Sequence, residues 1–371
     1  MYLTIYKKTN PNLENIDYNN IMQTTALENT IPEYYKITID IPNPNTLTEA
    51  HKTKILQLES HLIRAYAILL PFEENYEQQY YEFKIPKRSG GLRTINAPLP
   101  EFKEALSKVK DIFEKDLKCL SHDAAYAYTK QRSVYDALTK HQINDSKWFL
   151  KIDLTDFFPS CTPELIYNQL TQLYPFYYFQ VSTKAKLKRI IEICCLNNGL
   201  PQGTPMSPLL TNLIMVPYDY TISNTLKRGL GQHFVYTRYA DDMLISSKSD
   251  FDWKHIQQII SACLGPFQIK EEKTRYGSRA GSNWNLGLML NKDNNITLGS
   301  KKKKLINAML HNLFNDFKNN VKWPRDDVYA LQGQLSYLHN IEPDYHDYLI
   351  NKYQTKFNLN YKRILRILLN N

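Results

Sequence analysis

A chain of 371 residues, 43% of them hydrophobic, can bury a large core and divide into two or three subdomains. Its net charge of +9 and pI of about 9.0 favour a polyanionic partner. No stretch reaches the ~18 apolar residues of a membrane span, five cysteines without C-x-x-C spacing argue against a disulfide framework, and the lack of G-x-x-x-x-G-K and H-E-x-x-H sets aside P-loop and zincin chemistry.

The N-terminus, Met1-Tyr2-Leu3-Thr4-Ile5, has no apolar signal region, so a cytoplasmic protein with core thiols is expected. Residues 1–46 hold a candidate strand at Tyr35 to Ile41 before Pro42-Asn43-Pro44. From Thr48 to Leu70, Ile55, Leu58, Leu62, Ile63, Tyr66 and Leu69 fit a helix that Pro71 ends. Tyr80 to Ile85 and Leu92 to Ile95 read as strands around the basic turn Lys87 to Gly91, and Glu101 to Leu117 as a charged amphipathic helix. Trp148 to Asp153 is a short apolar run ending on an acid; beyond it Asp156 suits a helix cap. Helical patterns follow at Leu165 to Leu173, Ala185 to Cys195, Ser207 to Tyr218 and Asp252 to Leu264. Residues from Ser300 form a helical unit punctuated by Pro324 and Pro343 into about three helices.

Chemistry concentrates at Tyr239-Ala240-Asp241-Asp242, a turn between the strand-like runs Phe234 to Tyr239 and Met243 to Ser246. Adjacent carboxylates in a tight turn repel, and a divalent cation relieves that repulsion. A third carboxylate, Asp153, ends its own apolar run. Acids delivered by two strands to one edge suit two-metal phosphoryl transfer, in which one ion acidifies an attacking hydroxyl and a second, roughly 3.5–4 Å away, stabilises a leaving pyrophosphate. Hard oxygen ligands select Mg²⁺, with Mn²⁺ a substitute. Upstream, the hairpin turn is basic, carrying Lys87, Arg88 and Arg93 around the flexible Gly90-Gly91. Lys301-Lys302-Lys303-Lys304 opens a helix, where cations oppose the helix dipole, an arrangement easier to understand if phosphates draw near.

Ile85-Pro86-Lys87-Arg88-Ser89-Gly90-Gly91-Leu92-Arg93, the Asp153 strand, Leu200-Pro201-Gln202-Gly203-Thr204-Pro205-Met206-Ser207-Pro208 and Tyr239-Ala240-Asp241-Asp242 follow one another in that order between residues 85 and 242. This series resembles the ordered blocks of bacterial reverse transcriptases of the retron and group II intron type. The resemblance implies an α+β right-hand polymerase fold, with fingers, a palm of antiparallel sheet packed on helices, and a helical thumb. The implied division is an N-terminal extension over 1–80, fingers and palm over 81–299 and a thumb over 300–371.

It further implies Asp153, Asp241 and Asp242 as catalytic metal ligands with the Leu154 carbonyl assisting, and a nucleotide site of Lys87, Arg93, Phe158, Gln202, Gly203 and Lys273. Phe158 aligns with the ring that excludes a ribose 2′-hydroxyl, and Lys273 with a lysine near the pyrophosphate. Nucleic acid would meet Tyr239, the four lysines Lys301, Lys302, Lys303 and Lys304, and Arg132, which sits in a block where Ala127 and Gln131 replace two glycines. Trp284-Asn285-Leu286-Gly287-Leu288 resembles the primer grip. Retron enzymes carry N-A-x-x-H and V-T-G blocks; the nearest stretches here, Asp136 to His141 and Asn285-Leu286-Gly287, depart from both. The implied protein is closest to stand-alone, defence-associated reverse transcriptases: an Mg²⁺-dependent enzyme making DNA from dNTPs on an RNA template, with a dedicated noncoding RNA as partner, no membrane, and a homo-oligomer or accessory protein left open. Template-independent or protein-primed synthesis, RNA synthesis, and a catalytically inert RNA-binding module are the competing readings.

Overall fold

The computed structural model describes residues 48–86, 90–229, 233–279, 284 and 287–370. The expected strand at Tyr35 to Ile41, Lys87 and Arg88 of the basic turn, and Asn285-Leu286 lie outside these residues. Two compact units are present. One comprises the described residues of Met1–Gln131, Ile152–Met243 and Asp252–Thr274, the other those of Arg132–Lys151, Leu244–Phe251 and Arg275–Asn371.

In the first unit, α1 (Glu49–Leu69) starts at Thr48, whose hydroxyl accepts the His51 N–H, and buries Leu58, Leu62, Ala65 and Leu69 at helical spacing. Its apolar stripe meets α2 (Pro100–Asp111) and α5 (Val181–Cys194). Phe102 of α2 is fully buried, with the Phe72 and Tyr80 rings 5.1 and 5.5 Å away. The helix expected to run to Leu117 instead loosens into a π-turn over Ile112–Asp116, which keeps Ile112 and Phe113 buried. Between α1 and α2, β1 (Tyr80–Pro86) and β2 (Leu92–Pro98) pair antiparallel, Phe83 facing Ile95 and Ile85 facing Arg93.

Asp156 does not cap the next helix. It sits exposed at φ 41° in a turn, and α4 (Pro163–Leu170) is capped by Thr162, whose hydroxyl accepts the Leu165 N–H. The helix expected to stop at Tyr218 extends over Met206–Gly229 as α6, through Pro217. Leu210, Leu213, Ile214, Met215, Ile222 and Leu226 are all buried there, and that burial outweighs the one backbone bond proline cannot make. Asp252 caps α7 (Trp253–Cys263).

Strands β3 (Trp148–Asp153), β4 (Val235–Tyr239), β5 (Asp242–Ser247) and β6 (Arg275–Ser278) form a sheet in the order β4-β5-β3-β6. Trp148 to Lys151 pair antiparallel with Ser278 to Arg275. In the second unit, α3 (Val134–Ile143) opens on a capping box between Ser133 and Asp136. The hairpin β7 (Leu288–Leu290) and β8 (Ile296–Leu298) lead to four terminal helices rather than three: α8 (Ser300–Lys318), α9 (Arg325–Ile341), α10 (Pro343–Phe357) and α11 (Tyr361–Asn370). Leu310, Phe314, Leu331, Leu335, Leu349 and Tyr353 belong to one core with Trp284, which stacks on Phe149 at 5.4 Å. All five cysteines are free and buried, and no helix among the described residues is long and apolar enough to cross a membrane.

Candidate active site

Asp153 is the last residue of β3. Its carbonyl accepts the Lys270 N–H at 2.8 Å, and the next N–H, of Leu154, donates to the Asp241 carbonyl at 3.2 Å. That bond places the end of β3 against the turn carrying Asp241, where Ala240 adopts φ 58°, while Asp242 begins β5. The backbones at Asp153 and Asp241 are therefore adjacent. The side chains stand further apart: among the described residues, Asp153, Asp241 and Asp242 are not a group whose carboxylate oxygens all lie within 4.8 Å of one another. Asp153, 8% exposed, is instead held by Lys273 Nζ at 2.8 and 3.0 Å. Burial raises the Asp241 carboxyl above the usual range, and the neighbouring charges of Asp242 and Asp153 push it further the same way. Three carboxylates on adjoining segments, with the half-exposed Lys273 bonded to one of them, supply the hard oxygen donors that fit divalent cations.

Beneath the turn lies a buried ion pair that no motif marks. Arg238, 1% exposed in β4, meets Asp219 of α6 through Nε at 2.9 Å and Nη2 at 2.8 Å, and the Tyr236 hydroxyl donates to the same carboxylate at 2.6 Å. Arg238 Nη1 donates to the Ala240 carbonyl at 3.0 Å, so the guanidinium fixes the turn from below. Its backbone also pairs with the 124–126 segment, through Arg238 N to Ala124 O at 2.7 Å and Tyr126 N to Arg238 O at 2.9 Å.

That segment leads to Tyr128, which opens the block that also holds Gln131 and Arg132. Tyr128 adopts φ 60° and lines the cleft; burial first, then the Asp241 and Tyr239 charges, raise its hydroxyl. Gln131, where the family has glycine, keeps a left-handed φ of 60°. The cleft encloses ≈ 720 Å³, and Arg93, Phe158, Gln202, Gly203, Asp153 and Lys273 all line it. Leu154, 2% exposed, does so too. The Leu200 N–H donates to the Phe158 carbonyl at 3.0 Å, and the Asn96 N–H donates to the Gln202 carbonyl at 2.9 Å, so the Pro201-Gln202-Gly203 loop is pinned between the Phe158 turn and β2. Gly203 has φ 118°, and a β-carbon there would lie 2.8 Å from Ile95 Cγ2. Its glycine is required by close packing against the hairpin as well as by backbone conformation.

The remaining predicted residues fall elsewhere. Lys87 lies outside the described residues. Tyr239 ends β4 half-buried, and Arg132, in the second unit, directly precedes the Ser133 cap. Of the four lysines, Lys301 and Lys304 are exposed, whereas Lys302 lies over the Tyr337 ring and Lys303 binds Glu342 at 2.5 Å while covering Tyr345. Two of the four charges are thus engaged within their own helical unit. His141, from the stretch nearest the N-A-x-x-H block, is fully buried and bonded to Ser246 Oγ at 2.5 Å.

Residues 85–323 match the family described as reverse transcriptase (RNA-dependent DNA polymerase). The chain is 28% identical over 313 residues to the retron Ec83 reverse transcriptase of Escherichia coli, covering 80% of this chain and 95% of that one. It is 26% identical over 315 residues to the retron Mx65 reverse transcriptase of Myxococcus xanthus, covering 80% and 69%. Among solved structures, telomerase from Candida albicans with a fragment of telomeric RNA aligns at TM-score 0.47 and 13% identity, over 80% of this chain and 58% of that one.

Proposed function

Because this chain belongs to the reverse transcriptase family, matching it over residues 85–323, we propose that Asp153, Asp241 and Asp242 form its catalytic centre and extend a 3′ hydroxyl with deoxynucleotides by two-metal phosphoryl transfer. The enzyme is an RNA-directed DNA polymerase with the α+β right-hand polymerase fold. The observation that carries the site assignment is the Leu154 N–H bond to the Asp241 carbonyl, which brings two distant segments of sequence to one end of the cleft.

In this reading Asp153, Asp241, Asp242 and the Leu154 carbonyl hold two Mg²⁺ ions, with Mn²⁺ acceptable. Bound there, the ions would supply the acidity of the attacking hydroxyl and the neutralisation of the leaving pyrophosphate. The chain's own residues do the positioning. Arg93 and Lys87 bind the triphosphate, Phe158 stands under the sugar, and Gln202 and Gly203 seat the base pair. Lys273, which shares Asp153 in this structure, carries positive charge to the pyrophosphate side. Fingers and palm span 81–299 and the thumb 300–371, with Lys301 and Lys304, Arg132 and Tyr239 along the nucleic-acid path. The template is RNA, and the cytoplasmic partner is a dedicated noncoding RNA within a phage-defence system.

Primer extension on an RNA template tests the site. Asp241→Ala and Asp242→Ala should each abolish product, and undiminished synthesis by either variant removes the metal assignment. Phe158→Ala should raise ribonucleotide incorporation; no change in sugar preference removes the gate. Sequencing the product and the nucleic acid that copurifies with the protein tests the templating and the RNA partner together, since a random tract with no enriched RNA contradicts both.

A further inference from the structure

The corner between α9 and α10 gathers three side chains that polymerisation does not use. His339 lies in the last turn of α9, and His346 and Asp347 in the first turns of α10, with Glu342 and Pro343 between the helices. The backbone fixes this corner: the Glu342 N–H donates to the Leu338 carbonyl at 2.7 Å, and the His346 N–H to the Glu342 carbonyl at 3.0 Å. The two imidazoles stand edge to face, 4.9 Å between centroids and 86° between planes. His346 Nδ1 is 2.8 Å from Asp347 Oδ1, and one donor atom from each of the three residues lies within 4.8 Å of the others. A cavity of ≈ 290 Å³ opens beside them, lined by both histidines and by Ser336 and Asn340.

We propose that His339, His346 and Asp347 form a binding site for one transition-metal dication, Zn²⁺ being the occupant the donor set fits best. In a tetrahedral site with metal–ligand bonds of about 2.0–2.2 Å, donors stand roughly 3.3–3.6 Å apart. Here all three donor atoms lie within 4.8 Å of one another, and His346 Nδ1 and Asp347 Oδ1 are 2.8 Å apart, so small side-chain rotations reach that spacing. Two imidazoles favour zinc, cobalt, nickel or copper over magnesium, so the site is chemically distinct from the all-oxygen catalytic centre. Three protein ligands leave a fourth position for water, which Ser336 or Asn340 can hydrogen-bond across the cavity. Bound metal would join the end of α9 to the start of α10 and stiffen that corner of the thumb.

The test uses tag-free, full-length protein and Co²⁺ as a visible probe. In excess Mg²⁺, which fills the catalytic carboxylates, one Co²⁺ per chain should bind with the intense visible absorption of a four-coordinate ion and be displaced by Zn²⁺. His339→Asn and His346→Asn should each weaken binding at least about tenfold, whereas Asp241→Asn should leave it unchanged. A wild-type protein without that spectrum, or its survival in both histidine variants, overturns the proposal. Asp347 is 66% exposed at its side chain and can be changed without disturbing packing. Asp347→Asn therefore gives an independent reading, and unaltered Zn²⁺ affinity in that variant also overturns the three-ligand site.

Discussion

Arg238 and Asp219 are both fully buried side chains, and their pairing matters most through what one leaves behind without the other. Removing one member of a buried pair strands a charge in low dielectric and costs about 3–5 kcal/mol, while replacing both with apolar residues is often nearly neutral. Arg238→Met should lower the unfolding free energy by that amount and cut kcat more than KM, because the Ala240 carbonyl loses its donor and the Asp241 turn loosens. Arg238→Met combined with Asp219→Leu should recover most of the stability but little of the activity; denaturant melts and steady-state kinetics on the same samples separate the two. His141 offers a different test. Burial lowers its pKa to about 3, so between that value and the ordinary 6.5 the unfolded chain binds more protons than the folded one. Stability held above pH 6.5 is then lost as pH falls through this window, by an amount on the order of a few kcal/mol. His141→Gln keeps a polar partner for Ser246 without a titrating group, and chemical melts from pH 7 to pH 4.5 should show a flatter slope. The acids are legible in the sequence because charges interrupting apolar runs stand out. Arg238 is not, since its partner lies on a helix 19 positions earlier and nothing in the spacing marks them as a pair.

At the scale of elements, turns and strands are legible where residues carry backbone information. Asn197 and Asn198 at φ 50° and 60° close the turn before the Leu200 loop, and Gly90 and Gly91 at φ 88° and 79° shape the hairpin end. Helix ends are less so, because burial rather than local preference decides them: α6 runs on through Pro217 to Gly229. The loop–hairpin junction shows what spacing alone does not reveal. A glycine at position 203 suits close approach of backbone to a ligand, and the structure adds that it lets the loop approach Ile95 and Asn96. Gly203→Ala forces a β-carbon to 2.8 Å from Ile95 Cγ2 at a φ of 118°, a conformation costing on the order of 1–3 kcal/mol for a side-chain-bearing residue. The Asn96–Gln202 bond should weaken, the KM for dNTP should rise about tenfold or more, and hydrogen exchange at the Asn96 amide should quicken. Unchanged exchange with a raised KM would place the defect at the nucleotide rather than at the junction.

For the whole molecule, the charge of +9 is a statement about partners, and the structure divides the lysine run that contributes to it. Lys302 and Lys303 are engaged by Tyr337, Tyr345 and Glu342 within their own unit, leaving Lys301 and Lys304 exposed. Composition fixes the sign of the partner's charge but not which cations face it, because a lysine covering a ring and a lysine facing solvent are identical in sequence. Affinity for structured RNA should therefore fall steeply with salt, since a protein neutralising six to ten phosphates weakens its binding by about 10³–10⁵ between 50 and 200 mM. Lys301→Glu with Lys304→Glu should weaken RNA binding and reduce the log–log salt slope by roughly one for each phosphate no longer neutralised, without changing the melting temperature. Lys303→Glu should do the reverse, lowering the melting temperature by setting like charge against Glu342 while leaving the salt slope near that of the wild type. Filter binding across a salt series, paired with thermal melts, distinguishes the two. Equal slopes for wild type and the Lys301/Lys304 double variant would mean that the helical unit's exposed lysines do not touch the RNA, and the cations that do would then be sought on the hairpin around Arg93.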